Sequence, residues 1–454
     1  MYSADESLHR LVKEALDSGA AQSIAEANQM FKGFRINLEF GPSGAEDGDC
    51  QAALLTAVAL ARRVFLGGVN VCCPSQTRLA VPLPLGDTVA AAVVRLGGEL
   101  GQVDAGQPLV TIGNYPIPRS AEFHIRTAFG GWRGGILPAG CSVSVEKKNT
   151  VALAPMLAAA LAVNEAFTFV RFGNPALGRR PIGLSLWRPS PDTDWTLPAA
   201  DEPELLYLPS RLWLLGLGHL GQAFLWGLAL FGYPDPSNIS LVLQDFDRIT
   251  PATESTSILT DAELVGQKKT RAMAAWAERR GFTTSIYERP FDASFTRRQD
   301  EPPVLLCGVD NGLTRRALDQ VGFDLVIEAG LGRGHRDYRT IRLHTLPGPR
   351  PASAIWSLSD ELENVQMRPA YQKLLDDGDL DRCGVTLLAG KAVGAPFVGA
   401  AAACLALSEI LRLLHGGRMH EVVDVDLEAL DYRTALPHPY SFDHVNPGYV
   451  RVNE

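Results

Sequence analysis

Short apolar runs alternate along this chain with stretches of helical period. Runs at 212–215, 239–243, 304–307 and 340–344 read as strands, and 270–279 and 395–414 as helices. A further strand is expected at 421–426, where apolar and acidic residues alternate. The punctuation between these elements is specific. The 212–215 run ends in G-x-G-x-x-G, formed by Gly216, Gly218 and Gly221, and an apolar helical segment follows. The 239–243 run ends in Asp245 and Asp247. Val265-Gly266-Gln267-Lys268-Lys269 opens the next helix, and the 304–307 run leads into Asp310-Asn311-Gly312-Leu313-Thr314-Arg315.

Strand, glycine turn, helix, strand and acid is the order of a nucleotide-binding βαβ unit. Glycines let backbone approach a phosphate, the helix N-terminus favours its negative charge, and an acid at the second strand's tip can bind ribose hydroxyls. Taken alone, this also fits a nicotinamide or flavin dehydrogenase. Three later elements argue otherwise. A lysine at 269 can meet a phosphate as a point charge. Asp310, at the carboxyl end of a strand, suits Mg²⁺ or, alternatively, N-caps a helix over 311–318. Cys383 stands in Asp381-Arg382-Cys383-Gly384-Val385-Thr386 before the long helix, as a nucleophile or as an inert buried thiol.

The ordered set of GxGxxG, DxD, VGxxK, D-N-x-x-x-R and C-x-V before GAPFVGAAAACLALSEILRLLHGG resembles the ThiF/MoeB superfamily, which includes the ubiquitin-activating-type adenylating enzymes. The resemblance spans about 210–425. It implies a Rossmann-like, ThiF-type α/β adenylation fold with ATP and Mg²⁺ as cofactors. In that resemblance Gly216, Gly218 and Gly221 hold the ATP phosphates and Asp245 the ribose, with Asp247 beside it. Lys269 contacts phosphate, with Lys268 less well placed. Asp310 holds Mg²⁺, Arg315 is the arginine that follows it, and Cys383 takes up the activated carboxylate. The implied function is ATP-dependent adenylation of the C-terminal carboxylate of a ubiquitin-like protein ending in glycine. A thioester on Cys383 and transfer to a conjugating enzyme follow, by analogy in a bacterial antiphage pathway. A sulfur-carrier adenylyltransferase and a catalytically weak pseudo-activating scaffold are the alternatives.

One departure stands out. Where the family has an Asn and an Arg-Gln pair, this chain has Thr253, Thr256 and Ser257. A hydroxyl cannot replace a guanidinium at a phosphate, so another arginine must serve or adenylation is slow. Arg248, or Arg10 and Arg35 from the N-terminal half, are the candidates. Paired C-x-x-C motifs are missing, so no structural zinc is expected.

The N-terminal half reads as a degenerate duplicate. Residues 158–173 align without a gap on 402–417, placing Glu165 opposite Glu409, and Cys141-Ser142-Val143 precedes the first helix as Cys383-Gly384-Val385 precedes the second. A strand at 36–40, a loop bearing Gly41, Gly44 and Gly48, a helix at 51–65 and a strand at 69–72 repeat the βαβ order. The expected organisation is an inactive adenylation-like domain at 1–173, a proline-rich linker at 174–210 and an active domain at 211–454. Within the last, a crossover at 347–382 leads to Cys383. The end of the chain, after Leu436, is expected to be loosely ordered or to contact a partner.

Composition narrows the partners. A net charge of −9 argues against non-specific nucleic-acid binding. The longest small and apolar run, 395–407, is too short to span a bilayer, and no signal peptide opens the chain. Seven cysteines without framework spacing suggest a reducing cytoplasm. The partners that the resemblance implies are proteins, the ubiquitin-like substrate and a conjugating enzyme, with a homodimer left open.

Overall fold

The computed structural model of the chain describes residues 2–40, 44–113, 121–356, 368–376 and 382–452. Its strands form two large sheets of one design. The first joins β1 (Arg35–Phe40), β2 (Gly68–Cys72), β3 (Glu99–Leu100), β4 (Leu109–Ile112), β5 (His124–Gly130), β6 (Arg133–Pro138) and β7 (Ile182–Ser185) in the order β3-β2-β1-β4-β5-β6-β7. A short strand, β8 (Tyr207–Pro209), precedes the second sheet. That sheet uses β9 (Arg211–Leu215), β10 (Ser240–Gln244), β11 (Thr283–Tyr287), β12 (Val304–Cys307), β13 (Leu325–Leu331), β14 (Thr340–Leu346), β15 (His420–Asp426) and β16 (Thr434–Pro437). Its order is β11-β10-β9-β12-β13-β14-β15-β16. Both sheets are parallel through their first five strands and antiparallel after that. The expected duplication is present strand for strand, with β16 added at one edge.

The helices repeat too. Gly48–Ala61 links β1 to β2 as His219–Leu230 links β9 to β10, and Leu153–Phe172 and Pro396–Leu414 precede the last shared strands. These two long helices, of 20 and 19 residues, pass the length and apolarity test for membrane crossing, contrary to the expectation from the 395–407 run. They are instead 89% buried, packed on each other at the centre of the molecule. A helix that is apolar all round needs partners on every side, and the opposite half supplies them. Trp226 Nε1 donates to Thr56 Oγ1 (2.9 Å) across the same seam.

The paired glutamates do equivalent work. Glu165 Oε1 accepts from Gly178 N (2.8 Å) and Glu409 Oε2 from His420 N (2.9 Å), so each holds the reversal after its long helix. Burial opposes the charge on Glu409, but Arg412 and His420 hold its carboxyl down to about 2.

Several expectations need correcting. The proline-rich stretch is not a plain linker, because Ile182–Ser185 is the edge strand β7 of the first sheet. The end of the chain is not loose, because β17 (Tyr449–Arg451) pairs antiparallel with β8. The first βαβ helix starts at Gly48 rather than 51, since Asp47 caps it, accepting from Asp49 N and Cys50 N. Cys141 lies in a loop after β6, whereas Cys383 lies in the helix Arg382–Ala389, so the two are not equivalent. Gly41 and residues 357–367 and 377–381 of the crossover lie outside the described residues.

Candidate functional site

The site forms where β9, β10 and β12 end side by side. Gly216 leaves β9 with a φ of +82°, and its N–H donates to Gln244 O (2.9 Å). A Cβ on Gly221 would collide with Gly216 O, so the turn closes only without a side chain there. No side chain caps the helix His219–Leu230 that follows, which leaves its N-terminus open to an anion.

Asp245 is buried and shapes this turn. Its Oδ2 accepts from Leu217 N (2.7 Å) and its Oδ1 from Asp247 N (2.8 Å). Asp247 is half-exposed and pairs with Lys269, whose Nζ lies 2.8 Å from Asp247 Oδ2 and 3.8 Å from Asp245 Oδ2. Burial opposes the Lys269 charge, yet Asp245, Asp247 and, more weakly, Asp310 raise its pKa above the ordinary value, so the ammonium persists at neutral pH. Lys268 turns away to Phe246 O.

Asp310 follows β12, exposed, and accepts no hydrogen bond among the described residues. It does not cap the next helix: Asn311 does, accepting from Thr314 N (3.0 Å), and that helix is only Gly312–Arg315. An unspent carboxylate at the carboxyl edge, facing Lys269 and Arg10 electrostatically, is a hard oxygen donor that fits Mg²⁺. Arg315 is not brought to the Lys269 cluster. Its Nε donates to Val309 O (2.9 Å) and lies 3.0 Å from Glu328 Oε1. Because the N–H points at Val309, Glu328 Oε1 keeps an open acceptor although it is buried. Arg315, Glu328, Gly330, Thr340, Arg342 and His344 line a cavity of about 460 Å³ beside the site.

Among the proposed replacement arginines the geometry chooses. Arg35 sits at the far end of β1, 3.7 Å from Glu99, and Arg248 donates to Gly266 O (2.8 Å). Arg10 lies within electrostatic reach of Asp310. Its backbone N–H donates to Ser255 Oγ (3.1 Å) and its Nη2 to Asp5 O (2.8 Å), while its buried Nη1 has no partner. Burial lowers its pKa and Asp5 and Asp310 oppose that shift, so the group stays charged and one donor remains unspent.

Three supports were not anticipated from the sequence. Arg63, buried, donates to Glu254 O (2.9 Å) and Thr260 O (2.6 Å), and Arg62 pairs with Glu254 (2.5 Å). The N-terminal half thus clamps the segment in which Thr253, Thr256 and Ser257 replace the family residues. Gln222 donates to Leu217 O (3.1 Å) and accepts from Leu259 N (3.0 Å), tying the glycine turn to that segment. An adjacent arginine pair ending an apolar helix was the one legible hint. Cys383 lies in the helix Arg382–Ala389, and its side chain is outside the described residues.

A glycine turn with an open helix end, a paired acid and lysine, and a free carboxylate, in a sheet built twice, define a duplicated Rossmann-like α/β fold. The chain belongs to the BilD family: residues 35–186 match the BilD N-terminal domain and residues 208–417 the BilD C-terminal domain. It is 42% identical over 455 residues to the "Bacterial E1-like protein BilD" of Collimonas sp. (strain OK412), covering 98% of this chain and 96% of that protein. Among solved structures it is similar to E. coli MccB with ATP, at 13% identity over 50% of this chain and 63% of that one, with a TM-score of 0.33. It is also similar to PaaA, at 16% identity over 51% of this chain and 65% of that one, with a TM-score of 0.34. The chain spans less than two thirds of either structure.

Proposed function

We propose that this chain adenylates the C-terminal carboxylate of a ubiquitin-like protein and then captures it as a thioester on Cys383 for transfer to a conjugating enzyme. The observation that carries this reading is the convergence of the open Gly216–Gly221 turn, Lys269, Asp310 and the unspent Arg10 donor on one sheet edge. The 42% identity to a bacterial E1-like protein supports it.

A carboxylate is a poor electrophile, so its oxygen first attacks the α-phosphorus of ATP. The bond to the β-phosphate oxygen breaks, pyrophosphate leaves, and an acyl adenylate results. The chain's contribution is positioning and charge. Backbone N–H groups of the open turn, Lys269 and Arg10 meet the phosphates, and Asp245, with Asp247 beside it, accepts from ribose. Mg²⁺, held by Asp310, would supply further neutralisation of phosphate charge. In the second step a thiolate attacks the acyl carbon; the carbon–oxygen bond to AMP breaks, AMP leaves, and the thiol proton goes to solvent. We assign the cavity bounded by Glu328 and Arg342 to the substrate's C-terminal tail, where Glu328 Oε1, ion-paired with Arg315, suits a tail N–H. An antiphage conjugation pathway is the biological setting we assign.

The reading is tested by mixing the protein with Mg·ATP and a ubiquitin-like protein ending in glycine, then running non-reducing gels. An ATP-dependent, thiol-sensitive adduct should form, and should be lost in Cys383→Ala and Asp310→Ala. An adduct that survives Cys383→Ala moves the nucleophile elsewhere. Neither adduct nor pyrophosphate release would favour the scaffold reading, with Thr253 and Thr256 as its cause.

A further inference from the structure

We propose that His219, between the second and third glycines of the turn, is a positioning residue that couples the phosphate loop to the limb returning from the thiol-bearing helix. The inference rests on the adenylation reading above. His219 opens the helix His219–Leu230, and its side chain turns away from solvent into the start of the helix Pro396–Leu414. A Cβ on Gly399 would collide with the imidazole, so ring and missing side chain are complementary. Backbone of Ala395 and Pro396 also faces the ring.

The same ring reaches the return limb, residues 391–395, which joins the helix Arg382–Ala389 to Pro396–Leu414. A Cβ on Gly394 would sit 4.0 Å from His219 Nδ1, 3.7 Å from Arg10 Cβ and 2.9 Å from Thr256 Cγ2. Three parts of the site therefore meet at one glycine: the phosphate loop, the N-terminal arginine segment and the position lacking the family arginine. The limb is held from outside by Lys391 to Asp5 (3.3 Å), Val393 N to Arg333 O (2.8 Å) and Gly394 N to Arg10 O (3.3 Å). His219 is its contact from the loop side. The ring's Nε2 is fully buried at this contact.

The loop itself does not depend on the ring. Gly216 N on Gln244 O, Leu217 N on Asp245 and Gln222 on Leu217 O fix it independently. Removing the imidazole should therefore spare phosphate binding and loosen the limb that leads to Cys383. Adenylation and thiol capture should separate.

The experiment measures ATP–pyrophosphate exchange and single-turnover thioester formation, on the full chain with Mg·ATP and a ubiquitin-like protein ending in glycine. In Gly399→Ala, which crowds the ring from the helix side, exchange should stay within about twofold of wild type while thioester formation slows about tenfold or more, the scale of a displaced reacting group. His219→Ala should lose more in thioester formation than in exchange, and the double variant should regain part of the loss. His219→Asn keeps some of the volume and should show a smaller split, which serves if the alanine variant folds poorly. Equal losses in both steps, or no loss in either, would overturn the coupling. A wild-type protein silent in exchange would sink the adenylation reading and this inference with it, and the wild-type reaction alone reveals that outcome.

Discussion

The ends of β1 and β9 occupy equivalent places in the two sheets, yet they treat the following helix N-terminus in opposite ways. At β9, Gly218 is the cap residue and offers no side chain. At β1, Asp47 caps the helix with its own carboxylate. Lys147, from the loop after β6, then pairs with Asp47 and lies 4.0 Å from Asp49 and 3.6 Å from Cys50 Sγ. Burial pushes the Cys50 thiol up to about 11, so no reactive thiolate stands there. A helix N-terminus can satisfy its free N–H groups with a resident anion or with a visiting one. The N-terminal half has taken the first solution and the C-terminal half keeps the second available. The helix dipole and the unpaired N–H groups are common to both; one side chain decides their use.

The sharpest way to break this contrast is to disable each end in turn. Asp310→Ala should lower ATP–pyrophosphate exchange about 10³-fold, the scale of losing one preorganised charged contact. Asp47→Ala should leave exchange unchanged. Comparable losses from both would mean that the halves share the nucleotide.

A second contrast concerns protons. Burial pushes the His219 imidazole down to about 4, so at the open turn it is neutral in the folded chain. The unfolded chain protonates it near its ordinary value. Between about pH 6.5 and 4 the unfolded state therefore binds a proton that the folded state refuses, and stability falls as pH drops through that window. The loss approaches about 3 kcal/mol at its lower end. Denaturant midpoints from pH 7 to 4.5 should fall less steeply in His219→Asn than in wild type. Parallel curves would mean that the ring is reached by solvent.

Arg10 tests whether the N-terminal half contributes to its partner's chemistry while binding no nucleotide of its own. Arg10→Ala should cost about tenfold or more in exchange, and Arg10→Lys should recover little, because a point charge lacks the guanidinium's geometry. Arg35→Ala, at the far end of β1, should match wild type. The smallest effect belongs to the closed end itself. Asp47→Asn keeps the cap geometry but loses the Lys147 charge, so unfolding should shift by about 1 kcal/mol or less with no change in ATP use.

Much of this was legible in the sequence because it rests on local rules. Leu212–Leu215, the glycine spacing and the acids after β10 are set by short-range steric and hydrogen-bond needs, and strand and turn formed where the pattern placed them. Glu165 and Glu409 were visible as a pair through their helical register alone. What escaped had a long-range cause. Ile182–Ser185 lies in proline-rich sequence, and only pairing with β6 makes it a strand. The cap after β12 was a local exception, passing from Asp310 to Asn311 one residue on. Arg62 and Arg63 read as the end of an apolar helix, and their partners lie 190 residues or more away.

By itself, then, the sequence determined that a nucleotide-type βαβ unit exists, that it is repeated, and which glycines, acids and lysine belong to it. Periodicity and turn chemistry act between near neighbours, so they can be read along a line. The tertiary structure alone decided that Arg10 rather than Arg35 faces Asp310, that Arg315 turns to Glu328, that His219 seals against Gly399, and that Lys147 closes the first helix end. Each is a meeting of segments far apart in the chain, brought together by packing two apolar helices against each other, and such meetings leave no mark in local pattern.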